Sequence, residues 1–264
     1  MLPQTIPDFW NEKYLAIENE KICCLERLFE EWINVCKNHN NELSKHKPDD
    51  FVSDGFYPNY FTRKQKILFI GREPRDLDGC SYIDALYNAY KGKKTIGEKQ
   101  SVNQNRVHSR MLRITYGLLH NMPKWEDIPR ASDICDSFGE VDQDSISYAF
   151  MNFSKFANNS HNWTADWPII DQSHQISTHG RNFLEEEVRI LEPEIVITMN
   201  LGPKHLASLG KLTSLEVSAM PHVHWLETGK NKALLINTFH FSSWKNPITN
   251  IYNPICEAIR KYLT

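Results

Sequence analysis

Ile67, Leu68, Phe69 and Ile70 form an unbroken apolar run that is closed by Gly71, Arg72, Glu73 and Pro74. A run of this kind, with no polar residue on alternate positions, suits a strand buried on both faces in a parallel sheet covered by helices. Gly71 can take turn geometry closed to other residues, and Pro74 forbids an early return to strand. Arg72 and Glu73 therefore stand just past the carboxyl end of a buried strand, the edge at which open α/β sheets bind ligands. Solvated loop charges would give the same local pattern. A functional reading needs other strands to bring complementary chemistry to the same edge.

Three further runs do so. Tyr148 to Phe153 leads into Asn152 and Lys155, Glu194 to Met199 leads into Asn200, and Ala233 to Phe239 leads into His240, Phe241, Ser242, Ser243 and Trp244. Helical patterns alternate with these runs: Asn182–Leu191, a short helix over Leu201–Leu209, and a closing helix from Pro247 to Thr264. The predicted fold class is α/β, a three-layer α/β/α sandwich with a mainly parallel four-stranded sheet. A length of 264 residues fits one such domain with an added helical segment. Residues 1–60 are that segment, packed on the core, with Ile22, Leu25, Phe29, Trp32 and Cys36 on one helix face. Residues 61–264 form the α/β/α domain. The stretches 121–146 and 161–180 read as irregular connections.

Between Lys91 and Arg113 the chain carries Lys91, Lys93, Lys94, Lys99, Arg106, Arg110 and Arg113 against only Glu98. Val107, Met111, Ile114 and Leu118 mark an amphipathic helix, beside whose buried face Arg106, Arg110 and Arg113 make a basic stripe. Such a stripe is either a solvated face or a phosphate contact. The net charge of -3 excludes a strongly basic DNA-coating protein and leaves room for a local basic surface. The six cysteines form no CxxC pair and match no zinc or iron–sulfur spacing, and a lone His222-Val-His224 is a weak metal signal, so no metal or cofactor is expected. The chain has neither a membrane-length apolar run nor a signal-peptide pattern at its start. A cytoplasmic monomer with no membrane partner is the expectation.

Parallel packing of the four strands places Gly71-Arg72-Glu73-Pro74, Asn152, Asn200 and His240 to Ser243 in one crevice, where a carboxylate, an amide and a histidine form a hydrolytic set. In the order of these strand ends the chain resembles the uracil-DNA glycosylase superfamily. Gly71-Arg72-Glu73-Pro74 stands for its glycine turn of the form G-x-(D/N/A)-P, Asn152 for its strand-end asparagine, and Glu192 to Gly202 for its KPxVIVxLG strand. His240-Phe241-Ser242 stands for its His-Pro-Ser motif. The correspondence covers about residues 66–260 and leaves the first 60 without recognisable motifs.

The resemblance implies hydrolysis of the base–sugar bond of uracil or another damaged base, turned out of DNA as in base-excision repair. Glu73 would orient water and stabilise positive charge on the sugar. His240 would stabilise the departing base by hydrogen bonding, and Asn152 would read the base edge. Gly71, Arg72, Pro74, Arg75, Asn200 and Ser243 would complete the substrate site. Ser242 would contact phosphate, Trp244 would fill the vacated stack, and Lys93, Lys94, Arg106, Arg110 and Arg113 would hold the nucleic-acid backbone. Three residues depart from the family pattern: Glu73 replaces an aspartate, Arg75 replaces a small or aromatic residue, and Phe241 replaces the proline of His-Pro-Ser. They motivate an alternative, a member that binds nucleic acid or a nucleotide without cutting it.

Overall fold

The computed structural model describes residues 13–39, 43, 45–97, 100–142, 144–160 and 164–263. Glu98, Lys99, residues 1–12 and the first three positions of the 161–180 stretch lie outside them. In chain order the strands are β1 (Gly55–Phe56), β2 (Ile67–Gly71), β3 (Thr95–Ile96), β4 (Gln100–Ser101), β5 (Ala149–Asn152), β6 (Ile195–Met199), β7 (Lys211–Glu216), β8 (His222–Thr228) and β9 (Asn231–Thr238). The helices are α1 (Ala16–Asn38), α2 (Tyr82–Lys91), α3 (Arg106–Leu119), α4 (Ala131–Ser137), α5 (Trp167–Ser177), α6 (Phe183–Leu191), α7 (Pro203–Ala207) and α8 (Asn253–Tyr262).

The four apolar runs are parallel neighbours in the order β5-β2-β6-β9. Every residue of β2, β5 and β6 is buried, as a strand covered on both faces requires. The expected four-stranded sheet is nevertheless too small. These strands are the centre of a seven-stranded mixed sheet, extended by antiparallel β1 at one side and by antiparallel β8 and β7 at the other. The additions escape a search for apolar runs: β1 is two residues long, and every residue of β7 is exposed or half-buried.

Two stretches read as irregular contain helices. Asp166 caps Ile169 N–H and Pro168 occupies the first turn of α5, whose buried face is Ile169, Ile170, Ser173, Ile176 and Ser177. Two serines on that face blur its apolar period. α4 has only Ala131, Ile134 and Cys135 to bury.

α1 buries the expected face and adds Glu18 to it. The Glu18 carboxylate accepts the backbone N–H groups of Leu15, Asn59 and Phe61, fastening the helix start to the segment entering β2. Trp32 stacks on Phe183 of α6 at 5.3 Å. No helix among the described residues is long and apolar enough to cross a membrane.

The register levels the strand ends. Gly71 lies opposite Asn152, Ile70 opposite Thr198, and Met199 opposite Thr238. The turn after β2, Asn152, Asn200 and the segment beginning at His240 therefore share one edge.

Candidate functional site

Gly71 is required there for space rather than for turn geometry. A Cβ at this position would stand 2.9 Å from the Phe150 ring and 3.2 Å from Asn152 Oδ1. Phe150 cannot yield, because it stacks on Tyr82 at 4.2 Å. Beyond Gly71 the turn is braced by the chain leaving β5: Phe153, Ser154 and Asn158 donate backbone N–H groups to the carbonyls of Gly71, Arg72 and Pro74.

This bracing positions Glu73. Its Oε1 accepts from Asn158 Nδ2 at 3.2 Å and from Asp166 N–H at 3.3 Å, while its Oε2 accepts no hydrogen bond among the described residues. Burial raises the carboxyl above its ordinary value, opposed by those two hydrogen bonds and by the positive charges of Arg72 and Arg75. Asn158, 2 % exposed, holds Glu73 in place and is a residue the sequence reading did not single out. Nothing local marks it, since its value lies in a partner 85 residues away.

Arg75 turns toward the following loop, donating to the carbonyls of Ser160 and Thr164 at 3.3 and 3.1 Å. Arg72 donates to the carbonyl of Asn200 at 3.2 Å, with its guanidinium 5.0 Å from the Trp167 ring centre. Pro74 is buried and Asn200 is exposed in a left-handed conformation.

The histidine loop is built with equal economy. His240 Nδ1 lies 2.7 Å from Ser242 Oγ and accepts the backbone N–H of Ser242 at 3.2 Å. A backbone N–H can only donate, so Nδ1 is the bare nitrogen and the ring proton is on Nε2. Burial and the charges of Arg72, Arg75 and Arg110 push this histidine down to about 4, which keeps the ring neutral. Phe241, fully buried, packs edge-on against Phe69 of β2 at 5.9 Å. The Ser243 hydroxyl is buried with no partner among the described residues.

The basic stripe of α3 does not form a solvated face. Arg110 is buried and donates to the carbonyls of Phe241, Ser243 and Lys245 at 2.6, 3.0 and 3.0 Å, clamping the histidine loop. Arg113 gives its N–H groups to the carbonyls of Trp125 and Ile128. Arg106 remains beside the loop, bonded to the Ser242 carbonyl and stacked 3.3 Å from the ring centre of Trp244, which is 89 % exposed. Carbonyls satisfy N–H groups and leave the charge uncompensated, so Arg106 and Arg110 make this edge positive. The lysine cluster is neutralised across space: Lys94 pairs with Asp136 and Lys91 with Glu140, while Lys93 is exposed.

Asn152 is committed elsewhere. Its backbone N–H and its Nδ2 donate to the two oxygens of Asp54 at 2.8 and 2.9 Å, and Lys155 Nζ meets the same carboxylate at 2.5 Å. Lys155 also pairs with Glu187 at 2.7 Å, and all three charged side chains are fully buried. The asparagine expected to read a base edge has thus spent a donor on a structural carboxylate. Its Oδ1 is left lying toward Gly71.

Among the described residues no group of three or more histidines, cysteines or acids could hold a metal ion. Neither a family model nor a curated protein matches the chain.

Proposed function

We propose that the edge formed by Glu73 and His240 hydrolyses the N-glycosidic bond of uracil or another damaged base flipped out of DNA. The observation that carries this reading is the tautomer of His240. A neutral ring whose proton sits on Nε2 can donate to a base leaving as an anion, with no prior loss of charge. Glu73 complements it: Oε1 is held twice, so Oε2 can hold a water and take its proton as oxygen bonds to the sugar carbon and the base departs. The positive edge at Arg106 and Arg110, with exposed Trp244, suits a polyanion that carries stacking bases. Two separate groups of helices, α1 with α5 and α6, and α2 and α3 each with α4, support the three-layer arrangement of the superfamily. The protein would act on DNA as a cytoplasmic monomer, without a cofactor.

The commitment of Asn152 to Asp54 favours a second reading, binding of nucleic acid or a nucleotide without hydrolysis. One assay separates the two. Labelled oligonucleotides containing uracil, hypoxanthine, xanthine or mismatches are incubated with protein, treated with alkali and resolved on a gel. Strand cleavage with at least one substrate, lost in Glu73→Gln while binding persists, is the expected result. Binding without base release from any substrate establishes the second reading.

A further inference from the structure

The aim of the histidine depends on one peptide group. His240 to Ser243 is a turn closed by the Ser243 N–H on the His240 carbonyl at 2.9 Å, so the peptide joining Phe241 to Ser242 is its central unit. The N–H of that peptide donates to His240 Nδ1, and its carbonyl accepts from Arg110 Nη1 at 2.6 Å. The bond is trans, so carbonyl and N–H point in opposite directions within one plane. Whatever holds the oxygen therefore aims the hydrogen.

The loop has little else to fix this peptide. No residue from Ser242 to Asn246 is fully buried. Proline at the first central position would preset such a turn, and Phe241 does not. The Ser242 hydroxyl, 2.7 Å from Nδ1, cannot choose the tautomer, because a hydroxyl donates to a bare nitrogen or accepts from a protonated one. The N–H can only donate. If the peptide turned over, its carbonyl would face Nδ1, the ring proton would move there, and Nε2 would be bare.

Arg110 is placed to prevent this. It is 7 % exposed on α3, and its further bonds to the carbonyls of Ser243 and Lys245, at 3.0 Å each, tie down the following turn of chain. Its planar fork spans three carbonyls, which the point charge of a lysine cannot do. We propose that Arg110 is a positioning residue for His240: holding the Phe241 carbonyl, it keeps the Ser242 N–H on Nδ1 and the ring proton on Nε2, where a departing base can receive its hydrogen bond. The use made of that proton rests on the proposed hydrolysis; the tautomer does not. An arginine gripping phosphate would need N–H groups turned outward, and these are spent on the loop.

The test reads the His240 ring nitrogens in protein carrying isotope-labelled histidine, by long-range proton–nitrogen correlation near neutral pH, where the ring is uncharged. The parent protein should show the Nε2–H form alone. Arg110→Lys keeps the charge and loses the fork, so both tautomers should appear. Its single-turnover base release should fall by about 10- to 10²-fold with DNA affinity unchanged. Ser242→Gly alters an exposed residue, removes the hydroxyl and frees the backbone for the overturned peptide. With Arg110 in place its ring should still show Nε2–H alone. A parent ring protonated on Nδ1 overturns the proposal, as does a folded Arg110→Lys that keeps Nε2–H alone, or a mixture in Ser242→Gly. If circular dichroism shows Arg110→Lys unfolded, Ser242→Gly decides. Weaker DNA binding by Arg110→Lys at an unchanged rate makes Arg110 a backbone contact and also overturns it. A parent that releases no base from any substrate counts against hydrolysis alone, and the tautomers still decide the role of Arg110.

Discussion

Two groups of charged side chains meet near the end of β5, and they are built on opposite terms. Asp54, Lys155 and Glu187 are wholly buried, and the cation lies between its two acids with the rings of Phe29 and Trp32 within 5.5 Å. Charge there is answered by charge: burial raises the Glu187 carboxyl above its ordinary value, and the Lys155 ammonium beside it pulls the other way. At the sheet edge, Arg106 and Arg110 are answered by carbonyls, and among the described residues Glu73 Oε2 accepts no hydrogen bond and Ser243 Oγ has no partner. The interior group ties the chain entering β1, the chain leaving β5 and α6 together. The edge group retains charge and unused hydrogen-bonding capacity, which a ligand can take up.

The sharpest way to break this contrast is to treat both groups alike. Lys155→Met leaves two buried carboxylates without a cation and should cost about 3–5 kcal/mol, read by urea unfolding. A loss below about 1 kcal/mol would show that the interior cluster is not the fastening assigned to it. His240→Ala should do the reverse. Single-turnover base release should fall about 10² to 10³-fold, the loss of one oxyanion-type donor, while the urea midpoint scarcely moves. Equal damage to stability would erase the distinction.

The pH profile sharpens it further. His240, with a value of about 4, is already neutral well below pH 7, so it does not set the acid limb. In the proposed reaction Glu73 acts ionised, and burial holds its carboxyl above its ordinary value, so base release should fall as the pH drops through that raised value. Asn158→Ala removes a hydrogen bond that favours the carboxylate and should move the limb to higher pH. An unmoved limb would detach Glu73 from the rate. The smallest effect is expected at the periphery. Arg106→Gln should weaken DNA binding modestly and reduce the salt slope by about one, measured by fluorescence anisotropy at several salt concentrations.

The central strands and the face of α1 were legible because each is written locally, as an apolar run or a three-and-four spacing. The positions of Glu73 and His240 were legible for the same reason, since a strand's end is where its apolar run stops. What those residues touch was not. Arg110 reads as a member of a stripe, yet its carbonyl partners lie more than 130 residues onward. Asn152 reads as a strand-end amide, yet Asp54, 98 residues earlier, claims it. The β7–β8 hairpin was missed because its outer strand buries no residue fully. The start of α5 is signalled by Asp166 and Pro168, a cap and a first-turn proline, but Ser173 and Ser177 on its buried face hide the apolar period that would have marked a helix.

Phe241 stands where the His-Pro-Ser motif that this segment resembles has proline, and its ring rests on Phe69 in the strand that delivers Glu73. The separation of acid and histidine is therefore gauged by the sheet rather than by a flexible turn. Heating should not uncouple them gradually. Activity measured against temperature should stay on one Arrhenius line until the domain melts, and residual turnover and native circular dichroism should vanish together.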